Sequence, residues 1–174
     1  GKTEYLYLPC DSLAITKAMY RLGAGSVNDL SFTLEDIGTN SPAWFDRLKR
    51  ILVDEGIYEV NRVVETINSA DMNLDKLTAL IAYAGRSDAA SIAAIAERMD
   101  DFVFIPGAVD ESDVSHYFLD HNSEYTLHPD LEDFFDHQLF GEHLAAEYEG
   151  RFVDGGFVCM NDSCTLEEIL RPVE

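Results

Sequence analysis

A chain of 174 residues is long enough for one domain, or for two or three small ones in a row. With 47% hydrophobic and 11% aromatic residues a buried core is expected, and no run reaches the roughly eighteen apolar residues of a membrane span. A formal net charge of −21 excludes nucleic acid and anionic lipid surfaces as natural partners, and points instead to cations or to proteins with positive grooves.

Gly1 and Lys2 run straight into a strand pattern, with no charged-then-apolar leader, and three cysteines (Cys10, Cys159, Cys164) suggest no disulfide framework. Cytoplasmic residence is expected. Residues 4–8 (Glu-Tyr-Leu-Tyr-Leu) read as a strand stopped by Pro9. Asp11 or Ser12 then caps a helix to about Leu22, and residues 29–37 alternate as a second strand, giving a small αβ layer over residues 1–43.

Ser41-Pro42 starts a helix carrying Trp44, Phe45, Leu48, Ile51 and Leu52 at helical spacing. Further helical patterns run from about Ile57 to Ser69, Leu74 to Tyr83 and Ser87 to Arg98, the last capped by Ser87 or Asp88. Residues 44–100 therefore read as a helical bundle. The patch Arg47, Lys49, Arg50 is expected to pair with Asp46, Asp54 or Glu55 as ordinary surface charge.

Residues 101–174 read as an acidic αβ domain. Phe102-Val103-Phe104-Ile105 is a short buried strand, and Asp110 caps a helix to about Asp120. Pro129-Asp130 starts another, with Leu131, Phe134, Phe135 and Leu139 on one face, Glu132, Asp133 and Asp136 on the other, and Gly141 as its break or bend. Arg151–Val153 and Phe157–Cys159 flank Asp154-Gly155-Gly156, a hairpin signal, and Thr165 to Leu170 forms a short helix or strand. The fold class expected is α+β.

The stretch from Met99 to Gly150 stands apart. It contains no lysine or arginine, fourteen carboxylates and all five histidines, with Tyr117, Phe118, Phe134, Phe135 and Phe140 among the acids. A disordered acidic tail would lack those aromatics, so the segment is expected to fold. The plain reading is a solvated acidic surface. The functional reading is a polyanion-like surface built from Asp110, Glu111, Asp113, Asp120, Glu124, Asp130, Glu132, Asp133, Asp136, Glu142, Glu147 and Glu149. Duplex DNA carries one charge per roughly 1.7 Å of axis, whereas carboxylates one turn apart on a helix recur every ~5 Å, so several acidic elements side by side are required. At the spacing of duplex DNA, the net charge corresponds to about 36 Å, near ten base pairs.

Catalysis has no support in the sequence, and no enzymatic activity is expected. There is no Gly-x-Ser-x-Gly elbow, Walker A loop or dinucleotide fingerprint, and among so many acids carboxylate pairs such as Glu132/Asp133 are unspecific. His116 and His121 lie five apart, no His-Glu-x-x-His pattern occurs, and Cys159-x4-Cys164 has no second pair. Neither a metal site nor a cofactor is expected, and histidines that pack or sit among carboxylates are the favoured reading.

In the order of its parts the chain resembles the ArdA family of antirestriction proteins. The resemblance rests on Tyr5-Leu6-Tyr7-Leu8-Pro9 with its helix, Phe32-Thr33-Leu34-Glu35-Asp36 and Ile57-Tyr58-Glu59-Val60-Asn61-Arg62. It continues through Phe102–Ile105, Leu131 to Gly141 (LEDFFDHQLFG) and Glu149-Gly150-Arg151-Phe152-Val153. It implies small αβ, helical and αβ domains in an elongated, curved homodimer. It also implies a non-catalytic mimic of bent duplex DNA that occupies the DNA-binding groove of type I restriction–modification enzymes, on behalf of mobile genetic elements. Two departures accompany it. The segment that usually opens the family is missing before Tyr5, so the first domain is expected to be N-terminally incomplete, and an extra helix around Trp44 to Asp54 interrupts the negative surface. The alternative is an acidic protein-interaction module of a mobile element with a different basic partner.

Overall fold

A computed structural model of the chain describes residues 1–38, 41–69, 71–161 and 164–171. It divides into two compact units, one of residues 1–72 with 87–93, the other of residues 73–86 with 94–174. Helix and strand are mixed, as expected of an α+β chain. Among the described residues no helix is long and apolar enough to cross a membrane.

The first unit holds α1 (Ser12–Arg21), α2 (Pro42–Asp54) and α3 (Ile57–Ile67). Each start has a visible cause. The Asp11 side chain accepts from Ala14 N–H, and Ser41 Oγ accepts from Trp44 N–H with Pro42 in the first turn. Gly56, at φ +99, makes the turn between α2 and α3, a backbone region that side chains with a Cβ rarely adopt. Apolar spacing then sets the core: Ile15, Trp44, Leu48, Ile51, Val60 and Val63 are fully buried.

The two strands expected at 4–8 and 29–37 do not form. Residues 27–29 make a 3-10 turn capped by Ser26, and neither segment joins a ladder among the described residues. The alternation that suggested strands is nevertheless real, since Leu6, Leu8, Phe32 and Leu34 are half-buried between exposed neighbours. Period-two burial needs only an extended chain lying on an apolar surface, whereas a strand also needs a hydrogen-bonding partner. Cys10 finds a different partner: its N–H donates to Asn61 Oδ1 at 2.9 Å and its carbonyl accepts from Asn61 Nδ2 at 2.7 Å. One side-chain amide on α3 thus pairs with the backbone just past the first of these segments.

The Arg47–Lys49–Arg50 patch is also used differently. Arg47 stacks on the Trp44 ring at 4.7 Å and Lys49 lies over Phe45 at 5.7 Å. Glu55, expected as a partner, instead accepts from the Ala89 N–H at 3.0 Å. That bond helps start α5 (Ala89–Glu97) together with Asp88, which accepts from Ser91 N–H.

The second unit contains α4 (Leu74–Ala84), β1 (Phe102–Pro106), α6 (Glu111–His121), α7 (His137–Glu147), β2 (Arg151–Val153), β3 (Gly156–Met160) and α8 (Leu166–Leu170). The strands form one antiparallel sheet in the order β1-β3-β2. Its centre, β3, is buried along its whole length. Thr165 starts α8 with a capping box, its side chain accepting from Glu168 N–H while Glu168 accepts from Thr165 N–H. Tyr83 on α4 donates from its hydroxyl to the Glu149 carbonyl at 2.7 Å, and Arg151 lies over the Tyr83 ring at 4.8 Å.

Cys159, opposite Val103 in the ladder, is fully buried, and burial pushes its thiol from 9.0 up to about 12. Two outcomes are expected. An alkylating reagent at neutral pH modifies Cys159 only once the second unit unfolds, because the folded protein offers neither access nor thiolate. Since the folded pKa is raised, the unfolded chain releases this proton first. Stability is therefore lost as pH rises above 9, by about 1.4 kcal/mol per pH unit for this group until its folded pKa is reached. Mass spectrometry after pulsed labelling, and denaturant midpoints at alkaline pH, check both.

Candidate acidic interaction surface

All twelve candidate carboxylates lie in the second unit, on and around α6 and α7. These two helices pack directly on one another. A Cβ added to Gly141 on α7 would fall 1.8 Å from the Glu111 carbonyl oxygen on α6, so only a glycine permits the approach. Gly141 is buried mid-helix and is not the break that its residue type suggested. Beneath the pair, Val114, Phe118 and Leu144 join Ile105, Phe157 and Cys159 of the sheet in one core. Tyr125 closes the side of this core, its ring 5.4 Å from Phe140 and its hydroxyl 2.9 Å from that of Tyr148.

The segment before α7 departs from the single amphipathic helix expected from Pro129 onward. Residues 129–134 form a 3-10 helix capped by His128, Phe135 is extended, and α7 starts afresh at His137. The cause is local. Asp136 is a strong N-cap whose carboxylate accepts from Leu139 N–H at 3.0 Å, and capping requires it to leave the helical conformation. The proposed apolar face is lost with the helix: Leu131, Phe134 and Leu139 are 55%, 85% and 62% exposed, and Phe135 alone of the four is half-buried.

Eleven of the twelve carboxylates are exposed and the twelfth, Glu111, is half-buried. Several also hold the scaffold. Asp110 caps α6 by accepting from Asp113 N–H, Asp113 accepts from Val109 N–H, and Asp136 caps α7. Glu111 and Glu142 both accept from Gln138 Nε2, at 2.9 and 3.3 Å, which brings two acids from neighbouring helices to one amide. Glu149 sits at φ +54, where the chain leaves α7 for β2.

The only basic side chains at ion-pair distance from these twelve acids among the described residues are histidines, which carry charge only when protonated. Asp130 pairs with His128 at 3.7 Å, Glu132 with His137 at 3.0 Å, and Glu147 with His143 at 3.0 Å. The side chains of Asp120, Glu124 and Asp133 make no hydrogen bond or ion pair among the described residues. Electrostatically the surface is therefore uncompensated: caps and amides orient carboxylates, but no lysine or arginine neutralises them.

The structure also joins residues that the sequence did not. His116 on α6 and His137 at the start of α7 have ring centroids 4.0 Å apart, and Glu132 reaches the same place from the 3-10 turn. Histidine spacing drew attention to His116 and His121, yet His121 stacks on Tyr117 at 4.2 Å instead. A separation of twenty-one residues across a loop carries no periodic signal. No family model matches the chain, and no curated protein matches it.

Proposed function

We propose that this protein is a non-catalytic antirestriction protein, a DNA mimic whose acidic surface binds and blocks the DNA-binding groove of a type I restriction–modification enzyme. It acts by occupancy, so it needs neither a cofactor nor contact with nucleic acid or membrane, and it works in the cytoplasm as a homodimer. The observation that carries this reading is the exposure of eleven of twelve candidate carboxylates on an ordered scaffold whose acidic stretch holds no lysine or arginine. Holding like charges on folded elements costs stability, which a binding role accounts for and mere solubility does not require. The fourteen carboxylates of Met99–Gly150 match the charge of roughly 24 Å of duplex, about seven base pairs.

Competition tests the proposal. Purified type I enzyme is mixed with a labelled duplex and increasing amounts of this protein, across a salt series. The protein is expected to displace the duplex, and its apparent affinity is expected to fall steeply from 50 to 200 mM salt, as for any partner held by many screened charge pairs. Binding that leaves the duplex in place, or that ignores salt, overturns it. A basic partner for which duplex DNA does not compete would instead support the acidic interaction module.

A further inference from the structure

From His116, Glu132 and His137 we infer a binding site for one divalent transition-metal cation, of the zinc or cobalt class, that fastens the acidic 3-10 turn to α6 and α7. One ring nitrogen of each histidine and one carboxylate oxygen of Glu132 lie within 4.8 Å of one another. Tetrahedral zinc, with bonds of about 2.0–2.2 Å, places its ligand atoms roughly 3.3 Å apart. His137 Nε2 and Glu132 Oε1 are already at 3.0 Å. Completing the site requires the exposed His116 ring to swing out of its 4.0 Å stack with His137, since two imidazoles on one tetrahedral ion hold their centroids about 5 Å apart, and the exposed Glu132 to follow it.

The second ring nitrogens make the arrangement more than a chance grouping. His116 Nδ1 donates to the Ser112 carbonyl at 2.8 Å, which fixes the tautomer with a bare lone pair on Nε2. His137 Nδ1 lies 2.8 Å from Ser115 Oγ, a hydroxyl that is fully buried. In a neutral ring without a cation, Nε2–H of His137 donates to Glu132, whose carboxylate can only accept, and Nδ1 accepts from Ser115. When a cation takes the Nε2 lone pair, the ring proton resides on Nδ1 and is donated to Ser115 Oγ, so the serine serves either state. Two imidazoles and one carboxylate select a borderline cation over magnesium or calcium, which prefer all-oxygen sites. The helix dipole at the first turn of α7 opposes a cation there, and Asp136, capping that turn, counters it. Three protein ligands leave a position for water.

The inference stands apart from the DNA-mimic reading, because its measurements are of metal binding and not of inhibition. The chelator-treated 174-residue chain is titrated with cobalt(II), and zinc affinity is measured by competition with a chromophoric chelator. Visible absorption of tetrahedral cobalt is expected to saturate at one ion per chain, without the near-ultraviolet thiolate band that a site at the cysteines would give. His116→Ala, at an exposed ring, is expected to weaken zinc binding at least about tenfold and to abolish the rise in melting temperature that zinc produces. Glu132→Gln behaves alike, while His128→Ala and His143→Ala leave binding unchanged. Equal zinc affinity in the wild-type protein and His116→Ala, or a cobalt spectrum carrying the thiolate band, overturns the assignment.

Discussion

Replacing Asp130, Glu132, Asp133 and Asp136 together by their amides is expected to weaken inhibition of a type I enzyme by on the order of 30- to 1000-fold, taking each exposed charge pair at the upper half of the usual range, about 0.5–1 kcal/mol, and summing four. All four are exposed, and none is neutralised by lysine or arginine. The amides keep shape and hydrogen bonding: asparagine is as good an N-cap as aspartate, so the Asp136 bond to Leu139 N–H survives. The melting temperature should therefore hold or rise, since like-charge repulsion is relieved. Single amides should each cost only a few-fold, because the charge is distributed. His116→Ala, which removes a proposed metal ligand and no carboxylate, separates loss of charge from loss of the metal. A quadruple variant that inhibits as well as the wild type, while remaining folded, would remove this surface from the proposal.

How far the sequence reveals the structure depends on the range of the interaction. Helix starts are local, and Asp11, Ser41-Pro42 and Asp110 each cap the helix that their type and position announce, while Thr165 decides for helix a segment that read equally as helix or strand. The hairpin around Asp154-Gly155-Gly156 is equally local, with β2 and β3 on either side. The failures arise where a second element decides. Residues 4–8 and 29–37 have strand-like alternation but no ladder partner, and Cys10 is satisfied by Asn61 fifty-one residues away. Strand β1 pairs with β3 rather than with β2, a choice made across the intervening α6 and α7. In the segment from Pro129 to Gly141, apolar spacing argued for one helix, while Asp136 favoured a new start, and the cap won. The acidic surface itself was legible because charge and exposure go together; the His116–His137 pair was not, because only tertiary packing makes it.

Gly141→Ala is expected to be strongly destabilising in the second unit. By helix propensity alone the change should stabilise α7 by about 1 kcal/mol. Packing opposes it decisively. The new methyl would stand 1.8 Å from the Glu111 carbonyl oxygen, 2.5 Å from its carbon and 2.9 Å from its Cβ. The first two are backbone atoms of α6, so no rotamer change relieves the clash, and the helices must separate by more than an ångström. Separation loosens the contacts of Val114, Phe118 and Leu144, all almost fully buried beneath the pair. Overpacking at a yielding site costs about 1–3 kcal/mol; here, against backbone, the net loss should reach at least about 3 kcal/mol of a total that for a domain is only ~5–15 kcal/mol. Gly25→Ala is the matched control, since its nearest neighbour is a side-chain oxygen at 3.8 Å and its φ is not in the left-handed region. Urea denaturation should show a sharply lowered midpoint for Gly141→Ala and little change for Gly25→Ala. Equal midpoints would mean that α6 and α7 are not held at this distance. The geometry on which both the carboxylate array and the His116–Glu132–His137 site depend would then be wrong.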